Sequence, residues 1–244
     1  YTFCGRERST CNPTKSPMFM RVFPRKANAT NDAVLDLLKP IKCTYKANGS
    51  MHRTALRLSM HAMRGPRGDY IASRLRKLWA NGCDVKVIYG LMGARTKGIL
   101  GATTARGRIP LRSAGFDYDG DGEVNRYTHQ KYFTINGMYA GQQTKMIFTG
   151  SSNWSTRGTS GDEIMFSLRG PKIWGQYQNN FSFMFNSSRH TRNAYTTTAS
   201  EYRTTVLMRD ANGRMVPRTV TRKRVVTTNE PDRIAGTGPT WEND

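Results

Sequence analysis

The sequence predicts an α/β domain over residues 1–190, a mixed β-sheet flanked by helices, followed by a basic Thr/Arg-rich C-terminal extension over 191–244. Three observations carry that reading. Residues 54–89 run strand, helix, strand: Thr54–His61 alternates apolar and polar side chains, Tyr70–Ala80 repeats apolar residues at helical spacing, and Val85–Tyr89 is almost wholly apolar. Such a β–α–β rhythm argues for an α/β layer. Lys131–Ile135, rich in aromatic and β-branched residues, precedes a turn signal at Asn136-Gly137 and a returning strand at Lys145–Thr149. Beyond Arg189 the apolar clusters thin out, and Thr and Arg dominate.

The remaining elements follow in order. Tyr1–Pro17, rich in Cys, Pro, Ser and Thr, reads as an irregular lead segment, and Met18–Pro24 as a short strand. Asp32–Leu38 has helical spacing, with Asn31 or Asp32 as N-cap and Pro40 as its stop. Ile41–Tyr45 is a short apolar run, and Asn48-Gly49-Ser50 is a turn. Asp69 is the expected cap of the helix Tyr70–Ala80, whose Ile71, Leu75 and Leu78 form one stripe and which Asn81-Gly82 ends. Gly90–Ser113, with Arg95, Lys97, Arg106, Arg108 and Arg112, reads as a basic loop, either solvated or holding an anionic substrate.

Phe116–Asn125 spaces Asp117, Asp119, Asp121 and Gly122 as a calcium loop begins, but Thr128 stands where that motif wants Glu. An acidic turn without metal is therefore the reading, and those three aspartates are the calcium candidates of the alternative. A helix opens at Pro171 and carries Trp174, Tyr177, Phe181, Phe183 and Phe185 toward Arg189, at a spacing that serves burial first. In the extension, Asn212-Gly213 marks a hairpin, Arg222–Val226 (RKRVV) is a candidate polyanion contact, and Thr227–Asp244 reads as loose.

Composition narrows the partners. With 38 Lys+Arg against 17 Asp+Glu, a formal charge of +21, the chain favours polyanions: nucleic acid or an anionic phospholipid membrane surface. No apolar run approaches the roughly 20 residues of a transmembrane helix. The chain opens on Tyr1, which reads as a processed product or a fragment. Cys4, Cys11, Cys43 and Cys83 lack metal-site spacing, and the expected pairing is Cys4–Cys11 with Cys43–Cys83. Paired cysteines favour a secreted, extracellular protein over a cytosolic one with inert thiols.

The chemistry concentrates in Thr128–Glu163. His129 and Lys131 are two apart, so on a strand they project from one face. The returning strand ends in Gly150-Ser151-Ser152-Asn153, a loop small enough for backbone and short polar side chains to approach an anion. An imidazole, an ammonium, a hydroxyl and an amide together suit a phosphoryl group. His129 attacks phosphorus, while Lys131, Ser151 and Asn153 hold the non-bridging oxygens.

HQK, then GSSN, then Glu163 resembles the HxK(x)4D…GSxN pattern of the phospholipase D superfamily, and the resemblance extends over Met20–Arg189. It implies a phospholipase D-like fold. It also implies a phosphodiesterase of phospholipase D type, cleaving phospholipid head groups by hydrolysis or transphosphatidylation through a phosphohistidine at His129. In that scheme Glu163 orients the His129 tautomer, while Ser152, Trp154 and Asn136 border the substrate. No cofactor is required, because Lys131 and the Asn153 amide supply the charge stabilisation.

One position departs from the pattern: the Asp five residues after the Lys is Asn136, which leaves its role open. The superfamily uses two HxK copies, and this chain has one. His52, His61 and His190 lack a Lys two residues on and read as structural or surface histidines. The second half is expected from a homodimer mate or from a separate N-terminal half, since the chain resembles the C-terminal half of a two-motif secreted enzyme. The alternatives are a metal-independent nuclease acting as a homodimer, like the small dimeric bacterial endonucleases of the superfamily, and a decayed polyanion-binding module.

Overall fold

The computed structural model of the chain describes residues 18–24, 26–116 and 125–229. Ahead of the core lie β1 (Met18–Val22), α1 (Ala33–Leu38), the two-residue β2 (Ile41–Lys42), and a small hairpin of β3 (Thr44–Ala47) and β4 (Ser50–Arg53). The core opens with β5 (Ala55–Met63), α2 (Gly65–Ala80) and β6 (Asp84–Met92). It continues through α3 (Ala94–Gly101), β7 (Leu111–Ser113) and the short pair β8 (Gly115–Phe116) and β9 (Arg126–Tyr127). A long antiparallel pair follows, β10 (Lys131–Tyr139) and β11 (Gln142–Gly150), then β12 (Ile164–Arg169), α4 (Pro171–Asn186) and β13 (Arg192–Asn193). The last elements are β14 (Tyr195–Arg209) and β15 (Met215–Asn229).

The main sheet has the order β1-β12-β11-β10-β5-β6-β7-β13, with β2 also on β10. β5, β6 and β7 are parallel, whereas β10, β11, β12 and β1 pair antiparallel, so the sheet is mixed as the sequence predicts. Helices cover it. On one face Phe181 of α4 packs with Ile88 and Tyr132, and Tyr177 and Phe185 join them. On the other, Ile71, Leu75 and Leu78 of α2 are buried. β5 alternates only to Leu58 and is buried at every residue from there to Met63, which is what cover on both faces demands.

Several expectations shift. The turn lies at Ala140-Gly141, where both φ angles are positive (48° and 79°), not at Asn136-Gly137. β10 runs straight through the latter pair because Gly137 serves a close approach: a Cβ there would stand 2.6 Å from the Thr54 Cα. α2 begins at Gly65 with Pro66 in its first turn, so Asp69 lies inside the helix and caps nothing. Its carboxylate instead accepts from Thr96 Oγ1 at 2.6 Å and pairs with Arg95 at 3.2 Å. The expected basic loop 90–113 is largely regular: β6 extends into it, and α3 and β7 occupy most of the rest. Among the aromatics of α4 only Phe181 is fully buried, and Phe183 is 60% exposed against His190.

The Cys43–Cys83 disulfide is formed, tying the segment between β2 and β3 to the start of β6 across a separation of 40 residues. Closing a loop of that length contributes about 4 kcal/mol on chain-entropy grounds. Cys4 and Cys11, the calcium candidates Asp117, Asp119 and Asp121, and the tail beyond Asn229 lie outside the described residues. The first compact unit runs to Asn193 rather than to residue 190, because Arg192 and Asn193 still pair with Ser113 and Arg112 of β7. The second unit is the β14–β15 hairpin, with its turn at Asp210–Gly213 as Asn212-Gly213 predicts.

Candidate active site

β10 runs antiparallel to β5, so its first residues stand beside the last residues of β5. Lys131 pairs with Met60, and His61 N donates to Gln130 O at 2.7 Å. The loop after β11 crosses to the same place: Ala62 N donates to Asn153 Oδ1 at 3.2 Å, and Trp154 N donates to Ala62 O at 3.0 Å. The HxK and GSxN segments therefore meet at the carboxyl ends of the parallel strands β5 and β6, where open α/β sheets place their ligands. Gly90 makes the crossing possible, since a Cβ there would stand 2.9 Å from both His61 O and Thr128 O.

His129 stands exposed beside the buried Lys131, whose Nζ donates to His129 Nε2 at 2.8 Å and to His129 O at 3.2 Å. An ammonium only donates, so Nε2 presents its lone pair and the ring proton sits on Nδ1. Nε2 thus carries the ring's lone pair, with the Lys131 cation beside it. Asn153 is held by its Oδ1, which leaves the amide NH2 as the donor its side chain can offer. Ser151 is exposed, and its Oγ accepts from Ile164 N at 3.1 Å, keeping its own proton for an anion. A small pocket bounded by Met60, Lys131, Gly150, Ser152, Trp154 and Met165 adjoins these groups.

Not every expected residue takes the expected part. Ser152 is buried, donates to Gly158 O and accepts from Arg67 Nη1 at 3.4 Å, so it braces the loop. Trp154 lines the pocket but also packs edge-on against Phe133, 5.7 Å between ring centres. Glu163 sits just ahead of β12, its backbone carbonyl accepting from Phe23 N at 2.8 Å. Among the described residues no hydrogen bond joins its carboxylate to His129. Asn136 pairs with Ala55 and Lys145 and, five positions from Lys131, projects from the opposite face of the sheet. Of the basic residues in 90–113, Arg106 donates to Cys83 O at 2.9 Å and Arg112 to Thr191 O at 2.7 Å, both structural duties.

Two groups escape a motif-based reading. His61 is fully buried, yet its ring meets His129 edge-on at 4.6 Å and Tyr127 at 5.0 Å. Its Nδ1 donates to Thr128 O at 3.0 Å, which fixes the ring. Rings in contact leave no room for a phosphoryl group between them, so the geometry suits His61 to positioning the His129 ring and not to acting as an acid across a phosphorus. His52 and His190 do fit the structural or surface reading, the first stacked on Tyr45 and the second bonded to Ser187 Oγ at 2.8 Å. The signal for His61 was a lone imidazole near the carboxyl end of a strand in the predicted core.

The second group is an ion pair beneath the loop. Arg67 (2% exposed) donates from Nε to Asp32 Oδ2 (1% exposed) at 2.8 Å and from Nη1 to Asn153 O at 2.6 Å. Asp32 also caps α1 through Val34 N and accepts from the Tyr70 hydroxyl at 2.8 Å. Burial, and then the Asp32 hydrogen bond and charge, push the Tyr70 hydroxyl well above its ordinary pKa.

Residues 50–185 match the family described as cardiolipin synthase, PLD-like domain. The chain belongs to this phospholipase D-like family. Among solved structures, the phospholipase D-like chain is 17% identical to Nuc, a phospholipase D family member from Salmonella typhimurium, with a TM-score of 0.47 over 72% of this chain and 97% of that one. NucT from Helicobacter pylori is 14% identical, with a TM-score of 0.49 over 72% and 98%. No curated protein matches the chain.

Two substitutions test the site's scaffold. Arg67→Met leaves the Asp32 carboxylate buried without its partner and is expected to cost about 3–5 kcal/mol in urea unfolding. His61→Phe keeps a ring but loses the bond to Thr128 O. Steady-state kinetics on a phosphodiester should show kcat down about 10²-fold, as for a nucleophile slightly misplaced, with KM little changed. A rise in KM at unchanged kcat would contradict the positioning role.

Proposed function

We propose that the chain is a phosphodiesterase of phospholipase D type that releases phospholipid head groups, by hydrolysis or by transfer to another alcohol. The observation that carries the reading is the Lys131 ammonium 2.8 Å from His129 Nε2, beside an Asn153 side chain whose amide is held as a donor. His129 Nε2 attacks phosphorus, and the N–P bond forms as the bond to the head-group oxygen breaks. Lys131, Ser151 and Asn153 hydrogen-bond the non-bridging oxygens as charge builds on them. A second group protonates the departing oxygen, then deprotonates water or an acceptor alcohol, which attacks phosphorus and frees His129.

That second group is supplied by another HxK segment, from a homodimer mate or from a separate N-terminal half. A two-fold dimer would set two copies of His129 across its axis. Because Lys131 and the Asn153 amide stabilise the developing charge, the reading requires neither metal nor other cofactor. The paired cysteines support a secreted protein acting at a membrane surface.

A nuclease acting as a homodimer is the second reading, favoured by the +21 charge and the single HxK segment. A decayed polyanion-binding module has less support, since Asn136 projects away from the site and its departure from Asp says little about the chemistry.

Head-group release from phosphatidylcholine vesicles in EDTA tests the proposal, with His129→Ala as control. Release by the wild type, falling to background in the variant, is expected. Undiminished release in the variant would remove His129 as nucleophile. Cleavage of DNA with no release from vesicles would select the nuclease reading.

A further inference from the structure

The β14–β15 hairpin has strands of 15 residues each, about 50 Å of ribbon at the usual rise per residue. Two strands alone make a marginal structure in water, so a ribbon of this length calls for a surface to lie on. Its distal part has a definite chemistry. Val206, Leu207 and Met208 on β14 pair with Arg218, Pro217 and Val216 on β15, and Arg209 pairs with Met215. Leu207, Met208 and Met215 are 64%, 45% and 55% exposed. Strand alternation puts Tyr202, Val206, Met208, Val216 and Val220 on one face and Leu207, Met215 and Pro217 on the other, so the distal end is apolar on both.

Arginines interleave with this apolar band and bracket it. Arg209 pairs with Met215 and Arg218 with Val206, while Arg214 stands on the turn side and Arg203 and Arg222 on the shaft side, all exposed. Between Tyr202 and Arg222 the sole acidic residue is Asp210, whose Oδ1 is occupied by Asn212 N and Arg214 N, each at 2.9 Å.

We propose that the distal half of this hairpin is a docking surface for an anionic phospholipid bilayer. The distal end of the ribbon, apolar on both faces, sinks to the acyl boundary, while the long arginine side chains interleaved with its apolar residues reach lipid phosphates. No other occupant suits both halves of the pattern. A nucleic acid offers phosphates to the arginines but nothing to Leu207, Met208 and Met215. A second copy of the hairpin would cover the apolar band but bring arginines against arginines, a like-charge cost. The proposal deepens the phospholipid reading and rests on it only for what the enzyme does once docked, because docking is measured without turnover.

The full chain is sedimented with vesicles of phosphatidylcholine alone and of equal parts phosphatidylcholine and phosphatidylglycerol. Turnover of the soluble diester bis(p-nitrophenyl) phosphate reports the fold and site independently. The wild type should bind the anionic vesicles more tightly, and more weakly as salt rises. Leu207→Ser with Met208→Ser and Met215→Ser should lower partitioning at least about tenfold with soluble turnover unchanged. Arg203→Gln with Arg209→Gln, Arg214→Gln and Arg218→Gln should erase the anionic preference, about fivefold for each arginine.

The His129→Ala chain should bind as the wild type does while its turnover falls to background, whereas a wild-type chain that binds vesicles without any turnover would count against the catalytic reading and leave docking intact. The docking proposal falls on any of three results: no vesicle binding by the wild type, a triple-serine variant that binds like the wild type, or substitutions that abolish DNA binding or dimerisation instead of vesicle binding.

Discussion

The site depends on one buried ion pair. Arg67 and Asp32 lie 35 residues apart, and the Arg67 guanidinium reaches Asn153 O across 86 residues, so three distant segments are fixed by a single side chain. Removing two charges from water is costly, and only dense hydrogen bonding offsets it. Asp32 has that: the Val34 amide, the Tyr70 hydroxyl and Arg67 all converge on it. Arg67 has slightly less, since its Nη2 is buried without a hydrogen bond among the described residues. An incompletely satisfied buried pair makes a poor source of net stability. Its effect is positional: it sets the backbone of the GSSN loop so that Asn153 meets Ala62 and the amide faces its task.

The contrast between the exposed His129 and the buried Lys131 is the second constraint. A desolvated ammonium next to a neutral ring attracts an anion more strongly than a hydrated one, because the charge has lost water's screening. A phosphodiester arriving at His129 Nε2 would take over the donor that Lys131 now gives to the ring. Ground-state recognition and stabilisation of the developing charge then come from one group. His61 completes the arrangement from beneath, holding the ring by contact while its own orientation is set by a main-chain carbonyl.

Much of this was legible in the sequence. The strand–helix–strand core, the Asp32 cap, the Cys43–Cys83 bridge, the distal hairpin and the HxK and GSxN segments all follow local rules of period, cap and turn chemistry. Errors arose where tertiary contact overrode such rules. Gly137 looked like a turn residue but serves the approach of Thr54. Asp69 looked like a cap, but Pro66 starts the helix earlier and Asp69 turns to Thr96 and Arg95. The Arg67–Asp32 pair and His61 were invisible for the same reason: their roles come from the crossing of α1, β5, α2 and the β11–β12 loop, which no spacing along the chain reports. Ser152 turns inward and Asn136 to the opposite face of the sheet, and a motif names positions without saying which way each side chain turns.

The central claim is that His129 Nε2 bonds to phosphorus. Mixing enzyme with phospholipid, quenching in alkali to preserve phosphoramidates, and mapping peptides by mass spectrometry tests it directly. The account predicts a phosphatidyl group on the peptide bearing His129 and on no other, absent in His129→Ala. A turning-over enzyme that carried the group on Ser151, or carried none while product accumulated in a pre-steady-state burst, would contradict it.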